Sequence, residues 1–288
     1  MAVILVRYGE TGLKSDPVRR RFENILAENI VRAHKLEGVS CIVEKQRGRL
    51  FVSSDDSDKS TSILSHTFGI VSVSLAEESS SDVEEIAKLS IASASKQMPK
   101  GGSFAVRARR TGSHPYTSME LAAKIGEKIL HSFGGSNVKV NLNNPDFELN
   151  IEVRNNKAYI FDRVINGPGG LPLRSQGKVL SIIEDEKSLL ATWLVMRRGC
   201  SAVILNKSNL LSSEIERLKA WNPWWSGAIT DREPSDLIAM KRCSGLVLGW
   251  TLNEFEKKEK PGAGVPIFYP LLGMTSEEIK ERMANIFA

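Results

Sequence analysis

The stretch "GKVLSIIEDEKSLLATWLVMRRG", from Gly177 to Gly199, contains a strand, a turn and a helix in direct succession. It begins with an apolar run typical of a buried strand and ends with apolar residues at helical spacing. The turn between them reads Glu184-Asp185-Glu186-Lys187-Ser188. Such a turn can hold phosphate, because the helix N-terminus offers unpaired N–H groups and a positive dipole end. This one has no glycine and three carboxylates, so it has the position of a phosphate site without the chemistry.

Strands and helices continue to alternate after Gly177. The alternation predicts an α/β unit over 177–288, with a doubly wound parallel sheet. The predicted strands are 179–183, 202–206, 227–230, 245–250 and 265–269, and the predicted helices are 187–198, 212–221, 235–242 and 275–287. Ahead of it, "NGPGGLPLRSQG" (166–177) is rich in glycine and proline and is interpreted as a linker.

The first half of the chain predicts two α+β units. Residues 1–76 follow the order strand, helix, hairpin, helix, strand, which is typical of a ferredoxin-like domain, with the hairpin turning at Arg47-Gly48. Residues 77–166 form a second unit. Its "SFAVRARRTG" (103–112) alternates like a strand, which places Arg107 and Arg109 on one face while Arg110 extends the patch into the loop. Lys14, Arg19 and Arg20 form a second basic cluster.

Composition is that of a globular protein with a net charge of +5 and a pI near 9.0. Three scattered cysteines argue against a disulfide framework and predict a reducing, cytoplasmic location. The four histidines have no metal-ligand spacing, so no metal site is predicted. No apolar run is long enough to cross a bilayer, and no membrane partner is expected. The basic excess is compatible with a nucleic-acid partner.

The chain resembles the tRNA 4-thiouridine synthetases, also called tRNA sulfurtransferases. The resemblance covers residues 1–200 almost continuously and 265–288 more loosely. "VRYGETGLKS" resembles the family's N-terminal domain, and "FAVRARRTGSHPYTSMELAAKIGEKIL" resembles its THUMP domain. "GPGGLPLRSQGKVLSII" with "LATWLVMRRGC", and later "VPIFYPLLGMTSEEIKERM", resemble the start and end of its catalytic, PP-loop domain.

In that family the first strand-to-helix turn carries Ser-Gly-Gly-x-Asp-Ser, which binds ATP phosphates so that a uridine oxygen can be adenylated before sulfur replaces it. Here the turn is one residue shorter and keeps only the terminal Ser188. Glycines allow close backbone approach to pyrophosphate. Each carboxylate would also repel a phosphate, by about 4 kcal/mol at 4 Å and an effective dielectric of 20 before screening. We therefore expect a degenerate site and no bound cofactor.

The alternative is a site that still holds ATP weakly. Its contacts would come from the strand ends and the retained serine: Ile182, Ile183, Ser188, Leu205 and Asn206. The family also uses a late catalytic cysteine and often a rhodanese-like extension, which we do not expect here. Cys243 is the one later cysteine, and packing is its favoured role over sulfur transfer. No catalytic residue is predicted.

The resemblance implies RNA binding, with the tRNA acceptor end as the target and Arg107, Arg109 and Arg110 as contacts. "WNPWW" (221–225) could stack an unpaired base, but packing is favoured. The sequence thus predicts a tRNA-binding protein that assists tRNA thiolation or another modification, with a tRNA-modifying or sulfur-carrier protein as partner. The alternatives are an active synthetase with an altered nucleotide site and a non-catalytic assembly factor that forms a homodimer.

Overall fold

The computed structural model describes residues 2–46, 48–134 and 137–287. The N-terminal unit has the predicted order strand, helix, strand, strand, helix, strand. Arg47, in the turn of the predicted hairpin, lies outside the described residues. The elements are β1 (Ala2–Tyr8), α1 (Asp16–Leu36), β2 (Cys41–Gln46), β3 (Arg49–Ser54), α2 (Ser57–Ser65) and β4 (Ile70–Ser80). Its antiparallel strands lie in the order β2-β3-β1-β4, which confirms the ferredoxin-like fold.

The middle unit continues the same sheet. Its elements are α3 (Val83–Gln97), β5 (Ser103–Thr111), α4 (Ser118–Ser132), β6 (Lys139–Val140), β7 (Phe147–Arg154), β8 (Lys157–Phe161) and β9 (Ile165–Asn166). The second half of β4 pairs with β8, so the strands follow one another as β2-β3-β1-β4-β8-β7-β5-β6. The boundary that we predicted between residues 76 and 77 therefore falls inside a strand that both units share.

The shared sheet is strongly curled. The helices of both units cover one face, where apolar side chains of α1 and β4 form one core and those of α3, α4, β5 and β7 form another. The opposite face carries its own small core, in which the rings of Phe51 and Tyr159 lie 4.8 Å apart. These two residues belong to strands three positions apart, about 14 Å in a flat sheet. The helix-free face is therefore concave.

The C-terminal unit is a separate parallel sheet, as predicted. Its elements are β10 (Lys178–Ile183), α5 (Lys187–Arg197), β11 (Ser201–Asn206), α6 (Ser212–Ile215), β12 (Ala228–Ile229), α7 (Pro234–Lys241), β13 (Leu246–Leu248), α8 (Leu252–Lys257), β14 (Ile267–Phe268) and α9 (Ser276–Phe287). The strand order is β12-β11-β10-β13-β14. Helices α5 and α9 pack on one face, while α7 packs on the other. This is the predicted doubly wound arrangement.

The predicted linker forms backbone hydrogen bonds to both neighbouring units. Gly167 and Gly169 donate to backbone carbonyls of β4, and Leu171 donates to the carbonyl of Arg197 at the end of α5. Gly169 and Gly170 have positive φ angles of 67° and 75°, which glycine adopts without strain. Residues 166–177 therefore form a fixed connection between the two sheets and carry no phosphate-binding turn before a helix.

The tryptophans of "WNPWW" join the C-terminal unit to the N-terminal unit. Trp221 packs edge-on against Trp193, with centroids 5.4 Å apart, and lies 5.6 Å from the ring of Phe68. Trp224 lies between the guanidinium groups of Arg32 and Arg174, at 4.2 and 3.9 Å. The packing role predicted for these rings is confirmed, since both are committed to contacts between the units.

Candidate functional site

The strand order places the candidate site at the carboxyl end of the central strand β10. From β10 the chain passes through α5 to β11 on one side, while β13 pairs with β10 on the other. Ligands of open α/β sheets bind where the connections diverge, at the carboxyl ends of the strands. In this unit that crevice lies between the turn 184–188 and the residues after β13, Gly249 to Glu254.

Each carboxylate of the turn already has a partner. Glu184 accepts hydrogen bonds from the indole N–H of Trp250 at 2.7 Å and from Lys258 at 3.2 Å. Asp185 accepts from the backbone N–H of Ser188 at 3.1 Å and from its hydroxyl at 2.9 Å. Asp185 therefore caps the start of α5. The backbone N–H groups of Ser188 and Leu189, which a phosphate would need, donate to protein oxygens instead.

Glu186 and Lys187 complete the network around the turn. Glu186 accepts from Arg217 at 2.9 Å. The ammonium of Lys187 is bound by Asp185 and, at 3.1 Å, by Glu254 in α8. Lys258 also reaches Glu254, at 3.3 Å. The crevice thus holds four carboxylates and three cationic groups that neutralise one another almost completely.

The end of β13 packs directly against the start of α5. A β-carbon placed on Gly249 would lie 2.7 Å from the hydroxyl oxygen of Ser188 and 2.8 Å from its α-carbon. A side chain at position 249 would therefore clash with the backbone of Ser188, so the end of β13 and the start of α5 are in direct contact at this point.

The pKa of the Glu254 carboxyl is lowered by this network. Burial raises the pKa of its carboxyl, but hydrogen bonds from the backbone of Thr251 and from Lys187 outweigh burial and lower the pKa to about 2. The ionised carboxylate therefore contributes stability that is complete above the ordinary value of 4.5 and is lost as the pH falls toward 2.

We expect wild-type protein to lose up to about 2 kcal/mol more unfolding free energy between pH 7 and pH 3 than Glu254→Gln protein. Urea unfolding at both pH values measures this difference, and comparison with the variant removes the contribution of all other carboxylates. Identical pH dependence of the two proteins would show that Glu254 is not held in the network.

The predicted nucleotide contacts are only partly assembled. Ile182 and Ile183 pair in register with Leu205 and Asn206, so these four residues meet at the carboxyl ends of β10 and β11. The Ile183 and Leu205 side chains are fully buried, and the carbonyl of Ile183 accepts from the backbone of Lys207. Leu205 and Asn206 lie on the β11 side of β10, away from the crevice. Ser188 alone among the five lies in it.

None of the thiols is activated. Burial raises the pKa of Cys243, against the influence of Lys178 and Lys241, and only 6% of the residue is exposed. Burial likewise raises the pKa of Cys41 and Cys200. A thiolate is the nucleophile in sulfur transfer, so these environments disfavour it. In the part of the chain that the structure describes, no group of three or more histidine, cysteine, aspartate and glutamate side chains could hold a metal ion.

The predicted RNA-binding arginines lie on β5, whose edge is open beyond Phe104 because β6 pairs only with Ser103 and Phe104. Arg107 and Arg109 share the helix-free face, beside Asn150 and Glu152 of β7. Arg107 is bound to Glu148 at 3.0 Å, whereas Arg109 is exposed. Arg110 still belongs to the strand and not to the loop that we expected. It therefore lies on the opposite face and donates to the carbonyl of Gly112.

The residues of the second predicted cluster, Lys14, Arg19 and Arg20, differ in whether their side chains form ion pairs. Lys14 and Arg20 are exposed. Arg19 is engaged within α1, at 2.8 Å from Asp16 and 3.8 Å from Glu23. Of the three predicted residues, Lys14 and Arg20 are presented to solvent and have no side-chain partner among the described residues.

Sequence reasoning missed the second wall of the crevice, which consists of Gly249, Trp250, Thr251, Glu254 and Lys258. One local signal was present: Thr251 and Glu254 have the spacing of a capping box directly after a predicted strand. In the structure, the backbone N–H and the hydroxyl of Thr251 both donate to the carboxylate of Glu254, at 2.9 and 3.0 Å. That signal predicts a helix start but does not say which other strand end it faces.

Sequence comparison assigns the first two units. A model of the ThiI ferredoxin-like domain matches residues 3–74, and a model of the THUMP domain matches residues 80–162. The probable tRNA sulfurtransferase of Methanothermobacter thermautotrophicus is 40% identical over 72% of this chain and 53% of its own length. The tRNA sulfurtransferase of Thermoplasma volcanium is 30% identical over 97% of this chain and 66% of its own length. The chain spans about half the length of the first of these relatives and of others like it.

Structural comparison extends the similarity to the whole chain. The crystal structure of PH1313 from Pyrococcus horikoshii Ot3 superposes with a TM-score of 0.86 and 32% identity, covering 99% of both chains. A 4-thiouridine synthetase, crystallised as an RNA complex with bound ATP, superposes with a TM-score of 0.81. That similarity, at 23% identity over 99% of this chain and 85% of the other, shows a shared fold.

No helix among the described residues is long and apolar enough to cross a membrane. The chain has ferredoxin-like and THUMP domains and a parallel C-terminal sheet, and the relatives described above are named tRNA sulfurtransferases. It therefore belongs to the tRNA sulfurtransferase family.

Proposed function

We propose that this protein binds tRNA through its ferredoxin-like and THUMP domains and takes part in tRNA thiolation or another tRNA modification without adenylating the RNA itself. The tRNA part is supported by the THUMP match and by the named relatives. The basic β5 arginines on the shared sheet supply groups suited to phosphate, because a guanidinium makes bidentate hydrogen bonds.

The observation that carries the second part is the state of the strand-to-helix turn. Glu184 accepts from the indole of Trp250, and Asp185 accepts from the N–H of Ser188, against which Gly249 packs directly. Lys187 is held between Asp185 and Glu254, so it is not free to meet a phosphate. Adenylation and sulfur transfer would then depend on groups supplied by a partner protein.

A second candidate function is adenylation at an altered nucleotide site. It is favoured by one observation: the ammonium groups of Lys187 and Lys258 both lie within 3.3 Å of the same carboxylate oxygen of Glu254. If the crevice opened, these two cations could approach a triphosphate. The pyrophosphate assay described in the Discussion separates the two functions.

The tRNA proposal is tested by fluorescence anisotropy with an intact tRNA transcript and with the same transcript lacking its single-stranded 3′ end. We expect at least tenfold tighter binding of the intact tRNA, since the resemblance implies the acceptor end as target. Equal affinity for both would contradict the acceptor-end target, and absence of binding at physiological salt would contradict the whole proposal. Mass spectrometry of tRNA nucleosides from cells with and without the gene then identifies the modification.

A further inference from the structure

Three arginines surround one buried carboxylate where the two N-terminal units meet, and a fourth lies on the neighbouring strand. We call this group the arginine cluster: Arg7 of β1, Arg49 of β3, Arg109 of β5 and Arg154 of β7, around Glu152 of β7. Glu152 is only 6% exposed. Its carboxylate lies 2.7 Å from Arg154, 3.1 Å from Arg49 and 4.0 Å from Arg7. Arg109 is its neighbour across β5 and β7.

The curl of the sheet creates this convergence. Strands β3 and β7 are four positions apart, which corresponds to about 19 Å in a flat sheet. Nevertheless, Arg49 reaches Glu152 directly. The guanidinium of Arg7 is fixed from a third direction, by a 3.0 Å hydrogen bond to Ser74 and by the ring of Phe161 at 4.8 Å. The cluster therefore exists only when both units are folded against each other.

The cluster holds more positive than negative charge. Its four guanidinium groups face one carboxylate, so the five side chains carry a net charge of +3. The side chains of Arg7, Arg49 and Arg154 are only 13 to 18% exposed. Burial lowers the pKa of Arg7, and repulsion from the other three arginines lowers it further, against the attraction of Glu152. Partly buried charge of one sign is unfavourable without a counter-ion, so the cluster is suited to receive an anion.

Arg109 gives the anion access. It is exposed, and no hydrogen bond or ion pair of its side chain is found among the described residues. Arg49 and Arg7 stand behind it with their orientations set by Glu152, Ser74 and backbone oxygen. Guanidinium groups fixed in this way bind a phosphate without first losing side-chain freedom.

We propose that the arginine cluster binds a backbone phosphate of the RNA, with Arg109 and Arg49 as contacts and Glu152 as the residue that positions them. The inference rests on the proposed function in tRNA binding and adds to it a phosphate site shared by the ferredoxin-like and THUMP domains. Because the site spans both domains, the RNA backbone crosses their junction.

Ethylation interference on tRNA tests this site, since each ethylated phosphate that blocks binding marks a contact. We expect Arg49→Gln and Arg109→Gln each to abolish interference at the same phosphate. Each should also weaken binding about tenfold and make the slope of log K against log salt shallower by about one. Arg109 is exposed and has no side-chain partner among the described residues. Its variant therefore tests the phosphate contact even if Arg49→Gln disturbs the sheet. Arg232→Gln removes the same charge from the C-terminal unit and should leave every interfering phosphate unchanged.

Unchanged interference patterns in both cluster variants would overturn the inference and leave the cluster a structural feature of the sheet, while tRNA binding by the wild type would stand. If wild-type protein itself fails to bind tRNA, the proposed function fails first. Thermal unfolding of each variant, measured in parallel, shows whether weaker binding comes from the lost contact or from lost folding.

Discussion

Replacing Arg107, Arg109 and Arg110 together by glutamine is expected to weaken tRNA binding about 100-fold at physiological salt. Charge-assisted hydrogen bonds to phosphate stabilise by about 1.5–3 kcal/mol each in favourable cases. The total is lower here, because Arg107 already shares its guanidinium with Glu148 and Arg110 lies on the opposite face of β5. Loss of the contacts should also make the salt dependence shallower by about two units in slope.

Fluorescence anisotropy over a range of salt concentrations measures both effects. The matched control replaces three exposed cationic residues of the C-terminal unit, Arg232, Lys241 and Lys257, by glutamine. It removes the same net charge from a different surface. If the two triple variants lose the same affinity, the effect is one of overall charge and β5 is not the contact surface.

Local sequence patterns were sufficient to predict most of the secondary-structure elements and their order, although the short helix α8 (Leu252–Lys257) was not predicted. The alternation of strands and helices after Gly177 predicted the parallel sheet, because each βα unit has its own periodicity and caps. The pattern could not show that β4 pairs with both β1 and β8. That pairing joins residues about 80 positions apart, and one alternating strand carries no signal for the identity of its neighbour.

The same limit explains what was missed at the candidate site. The composition of the turn 184–188 is a local property, so the prediction of a degenerate site could be made from the sequence alone. Its partners Trp250, Glu254 and Lys258 depend on β13 lying beside β10, which is a matter of strand order. The predicted contacts Leu205 and Asn206 lie at the end of β11, on the other side of β10. Arg49 and Glu152 were missed for a related reason, since only the curl of the sheet brings them together.

Incubated with ATP and tRNA, the protein is expected to release no pyrophosphate. An active adenylating enzyme of ordinary turnover would release it at about 1 s⁻¹ or faster. The expectation follows from three features of the crevice: the carboxylates of the turn, the capped N–H groups of α5 and the contact between Gly249 and Ser188. A coupled pyrophosphate assay and calorimetry with ATP measure activity and binding separately.

A rebuilt turn provides the positive control. Replacing Glu184 to Ser188 by Ser-Gly-Gly-Ile-Asp-Ser restores the missing residue, removes Glu184 and Glu186, and leaves glycines where the backbone can approach phosphate. We expect ATP binding to become measurable in this variant by calorimetry while the wild type shows none. We do not expect Lys187 to bind ATP in the wild type, because one ammonium held by two carboxylates cannot replace a row of backbone N–H groups. Steady pyrophosphate release by the wild type, abolished by Asp185→Asn or Lys187→Ala, would instead establish the altered nucleotide site and make this protein an adenylating enzyme.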